Sequence, residues 1–396
     1  MKKVIYDSIL KRINISEPII SELIDTIEFQ RLNRIKQLGL VHYLFPGATH
    51  TRYAHSIGTF ELTQRFLDQL SSNANISKND MILIKIAALL HDLGHGPLSH
   101  LFESISNINH EKYTIDLILE PSTEVNKVLK NHLTDFQISE IVAIISKTHK
   151  IPWFNQIISS DVDVDRLDYL MRDSYYTGLK YGEIEFEWII KNAFIFENNI
   201  IYHQKAISSL ESLIVGRFHM YESVYLNLKT IAFSEQINFL FNRVKYLYEQ
   251  DYKFEIENVL YKKLILNDSF LYSDLIKLND DNMFTFIESM MYEKDELLNQ
   301  ISINILRGVI PEIFNLANPE ELNNFNNQIQ NKIEGIHFKI INKSENFNDF
   351  YTLNDNPKIF INNEIKNLFD ISTIITNHPQ NQTNSTLINQ IGVIIK

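Results

Sequence analysis

The stretch Ile82-Leu83-Ile84-Lys85-Ile86-Ala87-Ala88-Leu89-Leu90-His91-Asp92-Leu93-Gly94-His95-Gly96 decides the fold. Its apolar spacing predicts a helix from about Ser77 to Asp92, with Ile82, Ile86, Leu89 and Leu90 facing a core. The helix then presents an imidazole and a carboxylate at its C-terminal end, where Gly94 and Gly96 let the backbone turn tightly beside a ligand. An isolated buried carboxylate is costly, and a divalent cation shared with imidazoles offsets that cost. A His-Asp pair alone arises about once by chance in such a chain, so the setting at the end of an apolar helix carries the inference.

Working outward, seven of the 13 histidines (His42, His50, His55, His91, His95, His100 and His110) fall between residues 42 and 110, where even spacing would put about two. That enrichment centres a polar site on this window. Helical periodicity dominates the first two thirds of the chain. Short helices are expected around Ile19 to Ile24 and Phe29 to Leu38, the second stopped by Gly39. Others run from about Tyr53 to Leu70, Ser139 to Lys147, Val164 to Tyr176 and, longest, Ile207 to about Gln250. One hairpin pairs Ala193 to Phe196 with Ile200 to His203.

After about Tyr252 the segments become shorter and rich in Asn and acids. Helices are expected near Ser269 to Leu278 and Asp295 to Leu306, and strands at His337 to Ile341 and Lys358 to Ile361. The expected architecture is mainly α. A helical core with a small β-hairpin occupies residues 1–255, a smaller mixed α/β region residues 256–396, and a loosely ordered polar tail begins at about residue 377.

Composition narrows the chemistry. The 396 residues carry 37 Lys and Arg against 49 Asp and Glu, a net charge of −12, which argues against a protein that coats nucleic acid or an anionic membrane. The chain has no cysteine, which excludes disulfides, thiolate metal sites and cysteine nucleophiles together. No apolar run reaches the roughly 18 residues of a membrane span. Asp7, Lys11 and Arg12 interrupt the start before a signal-peptide hydrophobic region forms, so the chain reads as soluble and cytoplasmic.

Two further sites join the central motif: His55 in Thr51-Arg52-Tyr53-Ala54-His55-Ser56, and Asp165 in Asp161-Val162-Asp163-Val164-Asp165-Arg166-Leu167-Asp168-Tyr169. In order and context, His55, His91, Asp92 and Asp165 resemble the metal set of the HD-domain phosphohydrolase superfamily. Within it, Phe29-Gln30-Arg31-Leu32, Ile35-Lys36-Gln37-Leu38-Gly39, Phe45-Pro46-Gly47-Ala48-Thr49-His50, His91 through His100 and Asp163 to Asp173 resemble the dNTP triphosphohydrolases, over roughly residues 1 to 230. The resemblance implies an HD-domain helical core and hydrolysis of a dNTP to a deoxynucleoside and inorganic triphosphate. It also implies a divalent ion on those four residues, for which iron, manganese, nickel, cobalt and zinc all suit the donors. Magnesium accompanying the triphosphate is left open, and a homodimer or homotetramer is expected.

Position by position, the resemblance places Gln37 and Leu38 against the deoxyribose, with Gln37 and Asp173 on its 3′-hydroxyl and Tyr225 against C2′, near Tyr169. Arg52 is expected on the α-phosphate, and Arg166 and Arg217 on other phosphates. His95 and His110 line the triphosphate. His100 and Glu103, three apart on a short helix, share a face, so Glu103 can orient His100 as a general acid.

Three departures qualify this picture. Asn227-Leu228 stands where the family commonly has His-Lys, with Lys229 one place later. Asn33 occupies the place of an Arg that reads a guanine activator in regulated members, although Lys3, Val4, Asp25 and Gln30 resemble the rest of that site; a nucleotide activator therefore stays open. No sterile-alpha-motif domain is recognisable. Two alternatives remain: an HD phosphodiesterase or phosphohydrolase of another nucleotide, and a catalytically weak nucleotide-sensing module.

Overall fold

A computed structural model describes residues 3–106, 109–268, 270–316, 318–330, 337–342, 356–376 and 390–395. The chain opens with a hairpin, β1 (Lys3–Asp7) and β2 (Lys11–Ile15). Asp7 Oδ1 accepts the amides of Ile9 and Leu10 at 2.8 Å each, which closes the turn. Helices α1 (Pro18–Asp25) and α2 (Ile27–Arg31) follow, then α3 (Arg52–Leu70) and α4 (Lys78–Leu90). Beyond them lie α5 (His100–Ser106), α6 (His110–Leu119), α7 (Glu124–His132), α8 (Asp135–Ile145), α9 (Pro152–Ile158) and α10 (Val164–Thr177). The architecture is mainly α, as the sequence predicts. No helix among the described residues is long and apolar enough to cross a membrane.

Helix α4 is capped by the Ser77 side chain on Asp80 N, and Ile84, Ile86, Ala87, Leu89 and Leu90 are wholly buried. At roughly 1.5–3 kcal/mol for each large apolar side chain, this burial anchors the loop that follows it. Ile82 is only half-buried, and Leu83 and Ile84 take the inward places instead.

Several expected elements come out differently. The helix expected to reach Leu38 ends in a 3₁₀ turn at Leu32–Arg34, because Ile35 is extended and the backbone pairs across to the start of α3. Arg52 N donates to Ile35 O at 2.9 Å and Gln37 N to His50 O at 3.0 Å. The long helix is two: α11 (Phe186–Lys191) and the hairpin β3 (Ala193–Phe196) and β4 (Asn199–His203) lead into α12 (Ile207–Met220), which gives way to a π turn at Tyr221–Tyr225. Leu226 N donates to Tyr221 O, five residues back, at 2.8 Å. Asn227 then caps α13 (Leu228–Glu249) through Lys229 N, so the residue that departs from the family pattern starts a new helix.

Later come α14 (Val259–Leu266), α15 (Tyr272–Leu275), α16 (Asp280–Met290) and α17 (Glu296–Leu306), α15 being shorter than the expected span Ser269 to Leu278. Strands β5 (Glu312–Asn315), β6 (His337–Asn342), β7 (Lys358–Ile361), β8 (Glu364–Asn367) and β9 (Gln390–Ile395) close the chain. One sheet has the order β3-β4-β7-β8, in which β7 runs parallel to β4, and another the order β5-β9-β6. The tail expected from Asn377 to Asn389 lies outside the described residues.

Two large apolar clusters result. The first gathers α1 to α4 and α6 to α12. The second joins α13 to α17 with Leu40, Leu98 and Phe102 from the first third of the chain. Phe233, Ile237, Phe239, Leu240, Phe241 and Val244 of α13 are buried in this second cluster, while Tyr246 on the same helix stays exposed.

Gly58 of α3 faces α10, and a Cβ there would sit 1.9 Å from Asp168 Oδ1 and 2.5 Å from Arg172 Nη2. A glycine-to-alanine change inside a helix ordinarily stabilises by about 1 kcal/mol. Gly58→Ala should instead destabilise by about 1–3 kcal/mol through overpacking of a buried ion pair, lowering the melting temperature measured by circular dichroism.

Candidate active site

Helices α3, α4 and α10 each contribute donors to one buried point. His55 Nε2 lies 3.0 Å from Asp165 Oδ1 and 3.6 Å from Asp92 Oδ2. His91 Nε2 lies 3.5 Å from Asp92 Oδ1 and 3.7 Å from Asp165 Oδ1. Donors bound at about 2.1 Å to one ion stand about 3.0–3.4 Å apart, so this spacing is close to that of a ligand set. Both Nε2 atoms are buried and make no hydrogen bond among the described residues, although the carboxylates stand beside them. The group His55, His91 and Asp165 could hold a metal ion, and the orphaned imidazole nitrogens facing carboxylates fit a divalent cation.

The other ring nitrogens are spoken for. His91 Nδ1 contacts Ala88 O at 2.8 Å and His55 Nδ1 contacts Asp168 Oδ2 at 2.8 Å, which leaves each Nε2 free to bind. Arg172 grips Asp168 with two hydrogen bonds of 2.8 Å and reaches Asp7 Oδ2 at 2.7 Å, so a chain of ion pairs, buried from Arg172 inward, runs from the N-terminal hairpin to His55. Burial pushes the His55 imidazole down, but Asp165 and Asp168 outweigh it and lift it to about 10. The field that holds a proton there equally favours a cation. Asp165 is held well below the ordinary carboxylate range because the His55 and His91 imidazoles overcome its burial.

Beside this point stands a second imidazole cluster. His95 and His110 stack with centroids 3.9 Å apart, and His100 lies edge-on to both at 5.0 and 5.4 Å. Glu103 Oε1 contacts Nδ1 of His100 at 2.9 Å and of His110 at 2.8 Å, and these partners hold its carboxyl well below the usual range against the effect of burial. His95 Nε2 is 3.4 Å from Asp92 Oδ1, which joins the two clusters. Burial and the Arg52 charge push His95 well below its ordinary value, leaving a neutral imidazole. The loop leading to His100 places Leu98 and Ser99 at φ of 61° and 57°, a left-handed conformation that costs of order 1–3 kcal/mol per non-glycine residue.

A third group adjoins α10. Asp173 takes His50 Nε2 on one oxygen at 2.7 Å and the Tyr225 hydroxyl on the other at 2.6 Å. Gln37 is linked by its amide to His50, and its buried Oε1 has no partner among the described residues. Tyr169 is edge-on to Tyr225 at 6.2 Å, and Tyr221 at 4.9 Å. Burial and Asp173 push the Tyr225 hydroxyl well above its ordinary value, so it stays a neutral donor. Leu38 is half-buried beside Gln37.

The arginines are less open than the sequence suggests. Arg52 is buried, with Nη1 on Asp92 and Nε on Ser99 Oγ at 3.0 Å. Arg166 turns back onto Asp163 and the carbonyl of Ser160, and Arg217 lies 3.7 Å from Asp161 with its guanidinium over the Tyr221 ring. At the suggested activator site Lys3 pairs with Asp25, and Asn33 donates to Gln30. His50, Asp168 and Arg172 have no role assigned from the sequence; the i,i+4 spacing of Asp168 and Arg172 is the available signal.

Comparison with known proteins places this arrangement. The HD domain family matches residues 52–173, which contain His55, His91, Asp92 and Asp165. Protein YwfO of Bacillus subtilis is 34% identical over 301 residues, 76% of this chain and 69% of that protein. The deoxynucleoside triphosphate triphosphohydrolase SAMHD1 homolog of Dictyostelium discoideum is 31% identical over 52% of this chain, which spans 42% of that enzyme. The crystal structure of a phosphohydrolase from Bacteroides thetaiotaomicron superposes with a TM-score of 0.83 over all of both chains at 26% identity. On the strength of that match and of relatives spanned over most of their length, the chain belongs to the HD-domain phosphohydrolases, hydrolases whose members include the dNTP triphosphohydrolases it resembles.

Proposed function

We propose that the chain is a metal-dependent dNTP triphosphohydrolase. The observation that carries this reading is the unpartnered buried Oε1 of Gln37 beside the Asp173–Tyr225 pair, next to the ligand-like His and Asp cluster. A sugar hydroxyl donating to Gln37 and reaching Asp173 satisfies that atom, and the Tyr225 ring fills the space where a 2′-hydroxyl would stand.

His55, His91, Asp92 and Asp165 are the residues that would hold the cation. When bound, it supplies a water acidified enough to act as nucleophile at neutral pH and draws charge from the phosphate. Water attacks the α-phosphorus, the bond to the 5′-oxygen breaks, and that oxygen leaves with a proton from His100 Nε2, giving a deoxynucleoside and intact triphosphate. Glu103 accepts a hydrogen bond from Nδ1–H of His100, which fixes the ring so that Nε2 is the nitrogen turned to the leaving oxygen. His95 and His110 line the phosphate path. Arg52 neutralises Asp92 in the free protein and turns to the α-phosphate when substrate arrives, while Arg166 and Arg217 contact the outer phosphates. The internal pairing of Arg52 and Arg166 is the one observation that favours the weak nucleotide-sensing alternative.

Release of triphosphate from a panel of dNTPs and NTPs, with and without GTP, tests the reading; no turnover of any dNTP with metal present would sink it. Asp165→Ala should lose both metal, read by elemental analysis, and activity, while keeping its helical circular dichroism. Full metal occupancy in that variant removes Asp165 from the ligand set. Tyr225→Ala should raise ATP turnover relative to dATP by about 1–3 kcal/mol of lost discrimination while both rates fall. An unchanged ratio in a folded, metal-loaded variant takes Tyr225 out of the sugar site.

A further inference from the structure

One carboxylate from the C-terminal region reaches into the active-site loops. Asp280, the first residue of α16, is 2% exposed and accepts two backbone amides: Leu98 N on Oδ1 at 2.8 Å and Lys36 N on Oδ2 at 2.9 Å. Lys36 Nζ stands 3.7 Å from the same Oδ2. Leu98 is the first of the two left-handed residues that deliver His100, and Lys36 immediately precedes Gln37.

The two segments also touch one another. Ser99 Oγ donates to Lys36 O at 2.7 Å. At Gly39, with φ of 52°, a Cβ would meet Leu98 O at 2.8 Å. Nearby, Arg31 bridges Leu278 O at 3.1 Å and Leu93 O at 2.8 Å, a second tie between the start of α16 and the His91-Asp92 loop. Leu40, Leu98 and Phe102 pack in the cluster formed by α13 to α17, so apolar packing and the carboxylate act at the same place.

We propose that Asp280 is a positioning residue for the reaction: by holding the amides of Leu98 and Lys36 at once, it fixes the strained turn that aims His100 and sets its distance from the segment bearing Gln37. A strained turn persists only where its surroundings over-determine it, and a single buried acceptor with two donors from different loops does so. Among the described residues, the Asp280 carboxylate pairs with Leu98 and Lys36, and none of the four candidate metal ligands is bonded to it.

The inference rests on the reading of His100 as the general acid, and its test separates the two. Asp280→Asn keeps the shape and one acceptor oxygen but turns an amide group toward the second backbone N–H. The wild type, Asp280→Asn and His100→Gln are assayed on dATP and on its analogue with sulfur in place of the 5′-oxygen, whose thiolate leaves without needing a proton. Asp280→Asn should lose about tenfold or more in kcat on dATP, about threefold or less on the sulfur analogue, and no bound metal. His100→Gln should show the same asymmetry.

An equal loss on both substrates in Asp280→Asn, alongside asymmetry in His100→Gln, overturns the inference alone. Absence of asymmetry in His100→Gln, or a wild type inactive on dATP, removes the reading of the acid and the inference with it. Failure of Asp280→Asn to fold also overturns it, because Asp280 would then support the whole fold. Asp280→Glu, which keeps the charge but not the reach to both amides, should behave like Asp280→Asn; wild-type rates in it count against the clamp.

Discussion

The rest of the structure depends on neutralising the acidic side chains that α10 and the loop before it drive into a helical core. Asp163, Asp168 and Asp173 are almost wholly buried, and Asp92 joins them from the end of α4. Each would be ruinous alone, and each has a different answer. Asp168 is held by Arg172 and His55, Asp173 by His50 and Tyr225, Asp163 by Arg166 and its own helix start, and Asp92 by Arg52. Among the described residues Asp165 faces the His55 and His91 nitrogens with no arginine on it, which is why the candidate cation site falls there. Removing one partner from such a network costs about 3–5 kcal/mol, so the site and the fold are specified by the same residues.

Much of this was legible in the sequence, for a physical reason. Helix α10 carries clear 3.6-residue periodicity and α4 a nearly unbroken apolar run, and the candidate ligands are types that have few other uses in a core. The stretch from Leu32 to Leu38 misled because Leu32, Ile35 and Leu38 also repeat at helical spacing, whereas the backbone of Ile35 and Gln37 finds partners next to α3. Local pattern lost to a tertiary pairing. The first hairpin and β9 escaped because short strands carry few repeats to read.

What the sequence could not convey is support from a distance. The contact of Asp280 with Leu98 spans 182 positions, and that of Arg172 with Asp7 spans 165. Neither residue type announces such a role, because an Asp at a helix start is ordinarily a solvated cap. The internal pairing of Arg52 and Arg166 was invisible for the same reason: a motif gives the residue and its order, while the direction of a guanidinium depends on which acid reaches it first.

The π turn at Tyr221–Tyr225 carries a consequence for how this part of the chain can change over evolutionary time. It accommodates one residue more than an α-helical turn would between α12 and α13. Deleting a single residue there would restore α-helical winding, and each residue of an α-helix advances the chain by about 100° of rotation. Tyr225 would swing off Asp173 while α12 stayed in place. Length in this segment is therefore under tighter constraint than composition, and substitutions should accumulate among relatives where insertions and deletions do not.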